Sequence, residues 1–109
     1  MAQDFERVLK SSIGTSATEV RAATNTDDAI IGMRFANKGT TAVTVDATVK
    51  NSSVSYYLIK DAPIPAGGSL ELIDGGSKVV LQSGDSVEAL ASTGSAVDVI
   101  LSVVDSIST

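Results

Sequence analysis

Carboxylates are the groups with which this chain could do chemistry. It contains no His and no Cys. That excludes the commonest general base, the nucleophile–base pairs built on imidazole or thiol, and most transition-metal sites. Two acids flanking a glycosidic bond can hydrolyse it, but the acids here mostly occupy turns or the outward phase of strands. Asp27-Asp28 and Asp74 offer oxygens to a calcium ion. The alternating ligand spacing of a calcium loop is missing around them, which leaves turn capping as their use. Gly67-Gly68 and Gly75-Gly76 lack the lysine, helix and spacing of a phosphate-binding loop, and read as turns. The expectation is a chain with no catalytic, metal or cofactor residues, and not an enzyme.

The elements that hold these residues read as short strands. Val43, Val45, Ala47 and Val49 alternate with Thr44, Asp46, Thr48 and Lys50, the period of a half-buried strand. Similar segments lie at 18–23, 29–36, 54–60, 69–73, 78–81, 86–91 and 96–104. Turn residues separate them at Asn37-Lys38-Gly39, Asp74-Gly75-Gly76, Ser83-Gly84-Asp85 and Ser92 to Ser95. The pattern predicts an all-β chain, an antiparallel β-sandwich of jelly-roll or Ig-like type with about eight strands. Asp74 to Ser77 reads as a tight hairpin, and the chain from Ser69 onward as an antiparallel meander. Pro63 and Pro65 stiffen Asp61 to Gly68 into a corner between the sheets.

Residues 2–12 break the alternation. Phe5, Val8 and Leu9 fall at i, i+3 and i+4, the face of one helix turn. A helix that short needs a surface to lie on, either its own domain or a neighbouring subunit. The expected organisation is an N-terminal arm or helix over 1–14 and a single sandwich domain over 15–109. Two later segments are apolar on both faces. In 96–104, Val97, Val99, Leu101 and Val103 can fill the core, which turns Ile100 and Val104 outward. In 54–60, Val54, Tyr56 and Leu58 oppose Tyr57 and Ile59. An antiparallel strand facing water on one side is polar there. Phe5, Val8, Leu9, Tyr57, Ile59, Ile100 and Val104 are therefore the candidate interface residues.

A chain of 109 residues buries about two-thirds of its unfolded surface, enough for one core. Its core is expected to be aliphatic, since aromatic residues make up 4%. The net charge of -5 lies entirely in residues 62–109, where six acids stand against Lys78; residues 1–61 balance seven acids with seven bases. This acidic half offers either a solvated face or a docking surface for a basic neighbour. Nucleic acid and anionic membranes are poor partners for it, since both need clustered Lys and Arg. The N-terminus lacks the apolar stretch of a signal peptide, and no apolar run approaches a membrane span. A protein soluble in the cytoplasm where it is made is expected.

The stretch Tyr56-Tyr-Leu-Ile-Lys-Asp-Ala-Pro-Ile-Pro-Ala-Gly-Gly-Ser-Leu-Glu-Leu-Ile-Asp-Gly-Gly-Ser-Lys-Val-Val-Leu-Gln-Ser-Gly-Asp-Ser-Val87 resembles a recurring block in small virion structural proteins of tailed bacteriophages, notably those infecting cyanobacteria and other marine bacteria. Phe5 to Thr18 is similar to their N-terminal arm, and Ile31 to Val45 to an early strand pair. The resemblance implies a neck, tail or baseplate part that self-associates and docks on other virion proteins. A capsid decoration protein is the alternative. It implies localisation to the virion, with the chain soluble in the host cytoplasm before assembly. It also implies that removing residues 1–12 weakens assembly and leaves the sandwich folded. A carbohydrate- or receptor-binding module is the remaining reading. With no Trp, and with Tyr56 and Tyr57 on opposite faces, at most one aromatic platform is expected there.

Overall fold

The alternating segments assemble into two antiparallel sheets in a computed structural model, which describes residues 4–73 and 79–105. Nine strands follow in order: β1 (Asp4–Lys10), β2 (Thr18–Arg21), β3 (Asp28–Asn37), β4 (Val43–Asn51), β5 (Val54–Ile64), β6 (Ser69–Ile73), β7 (Val79–Leu81), β8 (Ser86–Ala91) and β9 (Val97–Asp105). One sheet has the order β1-β9-β3-β6, with β7 also on β3; the other runs β2-β8-β4-β5. Apart from the β4–β5 hairpin, successive strands do not pair with each other. The chain winds back and forth between the sheets, which is the jelly-roll form of the sandwich, with its sixth strand position split into β6 and β7.

The sandwich buries one face of each sheet. Val43, Val45 and Ala47 of β4 are buried as their alternation requires, and so are Val97, Val99, Leu101 and Val103 of β9. Phe35, Ile30 and Met33 of the central strand β3 fill the space between them. Phe35 is the one aromatic residue of this otherwise aliphatic core.

Pro63 and Pro65 stand at the sheet change, since β5 and β6 belong to different sheets. The extended segment before the corner is longer than expected. β5 runs through Pro63, opposite Thr44, to Ile64. Proline is tolerated there because β5 is an edge strand and can dispense with one N–H.

Two expectations change. Residues 4–10 are not helical. They form β1, paired residue for residue with β9, from Asp4 opposite Asp105 to Lys10 opposite Val99. Of the two surfaces open to this segment, it lies on its own domain. The segment from Ser69 onward is not a meander: β6 and β7 both pair with β3, β8 lies between β2 and β4, and β9 between β1 and β3. Each strand finds its partner across the wound topology, not at the next turn. The expected hairpin turn at Asp74 to Ser77 lies outside the described residues.

Candidate interaction surfaces

The β1–β9 register sorts the N-terminal residues into two faces. In a strand, residues 5, 7 and 9 share one side and 6, 8 and 10 the other. Val8, opposite Leu101, turns inward and packs on the core, half-buried. Phe5 and Leu9 turn outward and are 80% and 57% exposed. Their cross-strand partners are Val104 and Ile100, also in the outward phase of β9; Val104 is half-buried and Ile100 43% exposed. The outer face of this sheet thus carries two apolar rows, Phe5–Val104 and Leu9–Ile100, separated by Arg7–Ser102. Next to Ser102 on β3 is Gly32, where a β-carbon would meet its nearest neighbours at 3.7 Å, an ordinary contact. The fold of one chain does not require glycine at this point. Gly32 and Ser102 leave the middle of the face low between Phe5 and Ile100.

The other sheet ends in β5, which has two bulges against β4. At the first, Asp61 adopts φ 53°, and its N–H donates to Asp46 Oδ1 at 2.8 Å; Lys60 Nζ lies 3.8 Å from the same carboxylate. The bulges reset the alternation. Ile59, opposite the buried Ala47, packs half-buried against the core, and Tyr57 points outward with Lys60 Nζ 5.1 Å from its ring centre. Tyr56 lies in the inward phase opposite Val49, but both tyrosines are exposed. Opposite phases therefore do not hide either ring. Beside Tyr57 a pocket of about 90 Å³ is lined by Asp46, Thr48 and Glu88. That is small beside the several hundred Å³ typical of ligand sites.

Several charged groups are structural. Arg21 of β2 donates to Asp28 of β3, a buried pair tying the two sheets, and Thr26 Oγ1 lies 3.0 Å from Asp28 Oδ1. Asp28, read from sequence as a turn-capping acid, is thus the sheet-spanning partner of an arginine. Among the described residues no cluster of acids is arranged to hold a metal ion. Among the described residues, three acids of the acidic half stand beside bases of the first half. Glu71 faces Arg34 at 3.3 Å, Glu88 faces Lys50 at 3.9 Å and Asp98 faces Lys38 at 2.9 Å. Winding places late strands beside early ones, so late acids meet early bases. Lys38 bonding, the Ser12 N–H donating to Asp98 Oδ1 at 2.9 Å, and the Lys38 charge hold the Asp98 carboxyl below its usual value of 3.8. Lys38 Nζ also donates to Ser12 Oγ at 2.8 Å, fixing the turn after β1, where Ser12 has φ 55°.

Of the seven candidate interface residues, the fold brings Phe5, Leu9, Ile100 and Val104 onto one face, sets Tyr57 apart on the other sheet, and turns Val8 and Ile59 inward. Two residues that organise the ends of the sandwich went unselected. Ile13 is 1% exposed, and its backbone bonds Val97 O and Ser95 N–H. Asn37 is buried; its Nδ2 donates toward the carbonyls of Thr41, Ile64 and Pro65 at 2.9, 3.1 and 3.2 Å, and its Oδ1 accepts the Gly39 N–H. Its place before Lys38-Gly39 marked a turn; nothing local marked the Pro65 corner as its partner.

No protein-family model and no curated protein matches the chain. Solved structures share its fold. A chain from the capsid of Helicobacter pylori bacteriophage KHP30 superposes with a TM-score of 0.56 at 7% identity, covering 96% of this chain and 88% of that one. A protein of Bacillus endospore appendages, described as disulfide-linked pili, gives 0.51 at 16% identity over 98% and 88%. The nucleoplasmin-like N-terminal domain of Drosophila FKBP39 gives 0.53 at 13% identity over 98% and 93%. At these identities the likeness establishes the sandwich fold alone. Among the described residues no helix is long and apolar enough to cross a membrane.

Proposed function

We propose that the chain is a non-enzymatic structural component of a tailed-phage virion, a neck, tail or baseplate part that self-associates and docks on other virion proteins. The observation that carries this reading is the outer face of the first sheet. Phe5, Leu9 and Ile100 stand exposed there in cross-strand rows, with Val104 beside them, where a sheet that only met water would be polar. The shared fold with a phage capsid chain supports a virion role and favours, as a second reading, a capsid decoration protein. The small pocket beside Tyr57 gives little support to a sugar-binding module.

Light scattering on the purified chain over a concentration series tests self-association, and a defined oligomer is expected. Phe5→Ser with Ile100→Ser tests the face: both side chains are exposed, so the fold should persist while docking to purified virion proteins is lost. A monomer at every concentration would refute self-association; undiminished docking by the double variant would refute the assignment of the face. Truncation is the poorer tool, because residues 4–10 are a strand of the sheet.

A further inference from the structure

The two sheets end in edges that are not alike. β5 has two bulges, a lysine and a proline, the devices that keep an exposed edge from pairing. β2 has four residues and a register shift; β6 and β7 have five and three, with a shift in the β6 pairing. β1 shares the lysine, as Lys10 at its end, but has no bulge, no register shift and no proline. Its seven residues pair one for one with β9, without bulge, proline or glycine, and among the described residues no strand pairs with its other side.

We propose that β1 is a self-pairing edge, to which a second copy of this chain adds antiparallel about a two-fold axis at Val8, joining two five-stranded sheets into one. The proposal rests on the self-association reading above and names its contact. Charge selects the axis. A residue on a two-fold axis faces its own copy, so centring on Glu6 or Arg7 sets like charges opposite each other, which destabilises a strand pair. Centring on Val8 sets Val8 against Val8, Arg7 against Leu9, and Glu6 against Lys10 of the second copy, the last pair twice. Within each pair the two side chains share a face of the sheet, as strand alternation demands: Arg7 and Leu9 on the outer face, Val8, Glu6 and Lys10 on the inner. An open groove of about 510 Å³, lined by Val8, Val20, Arg21 and Asp105, runs beside this edge, and an added strand would cover its β1 side. On the outer face, the Leu9–Ile100 rows of the two copies would then meet diagonally across the seam, each flanked by Arg7 of the other copy, with the Phe5–Val104 rows at the two far ends.

The chain has no cysteine, so a single Val8→Cys thiol reports the axis directly. Opposed Cα atoms in an antiparallel pair lie about 4.5–5.5 Å apart, within the span of a disulfide. Mild oxidation should give a covalent dimer. Phe5→Cys thiols, about 20 Å apart in this register, should not cross-link. By sedimentation, Glu6→Lys or Lys10→Glu alone should raise the dimer dissociation constant about tenfold, and the two together should restore it. Restoration separates lost pairing from lost folding. A wild-type chain that is monomeric at every concentration would overturn the self-association reading and this contact together. An oligomer that ignores the charge reversals, or a Val8→Cys chain that does not cross-link, would overturn the contact alone.

Discussion

Asn37 should be the most costly polar residue to remove from the end of the sandwich. Asn37→Ala deletes the donor that serves the carbonyls of Thr41, Ile64 and Pro65, and the acceptor for the Gly39 N–H. The bond to Ile64 is buried and the others are partly wet. A buried bond lost with its partner left dry costs about 1–3 kcal/mol, and each half-wet bond about 0.5–1.5. An amide nitrogen has two hydrogens, so two carbonyl bonds and the Gly39 bond set a loss of about 3 kcal/mol. A domain of this size is stable by only about 5–15 kcal/mol. In urea unfolding, with a slope of about 1.3 kcal/mol/M, the midpoint should fall by about 2 M. Asn37→Asp sharpens the test. It keeps the shape and the Oδ1 acceptor, but sets a charged oxygen against the carbonyls, and should be less stable than Asn37→Ala. An Asp variant equal to wild type, or an Ala variant within about 0.5 kcal/mol of it, would refute the donor role.

Ile13→Ala empties a buried site just beyond β1 and should cost about 2–5 kcal/mol, read as a fall in Tm of 10 °C or more. Asp98 gives a pH signature. Its carboxyl is held below 3.8 in the folded chain, so the stabilisation it brings is complete above that value and is lost as the pH falls through the lowered folded value. Wild type should therefore exceed Asp98→Asn in stability near pH 7 and converge with it in strong acid; a constant difference across that range would exclude the ion pair as its source.

How much of this was legible depends on range. β4 and β9 announced themselves, because alternation is local and their inward residues all went inward. The apolar trio Phe5, Val8 and Leu9 fits one face of a helix, and in a strand the same spacing divides into two residues out and one in. Only the presence of β9 decides between them, and β9 is about as far away in sequence as the chain allows. The meander failed for the same reason, since a turn signal says that the chain reverses and not which strand it then meets. Ile59 turned inward while Tyr57 stayed outward because β5 bulges twice against β4, and one of these bulges is held by Asp46 at Asp61, a contact across fifteen positions. Ile13 sat alone among small and polar residues, with no periodic partner to mark it.

The pairing of β1 with β9, and of β9 with β3, also orders events in time. Until residues 97–105 have left the ribosome, the first sheet lacks the strand between its earliest members, and β1 has nothing to lie against. The first sheet therefore cannot mature from its N-terminal strand alone as synthesis proceeds; its closure waits for β9 and carries the entropy of the long loop between β1 and β9. On the proposed self-associating role, this means that the competent surface exists only on copies whose β9 is in place. A chain cut short before β9 presents no completed face for the next subunit to recognise.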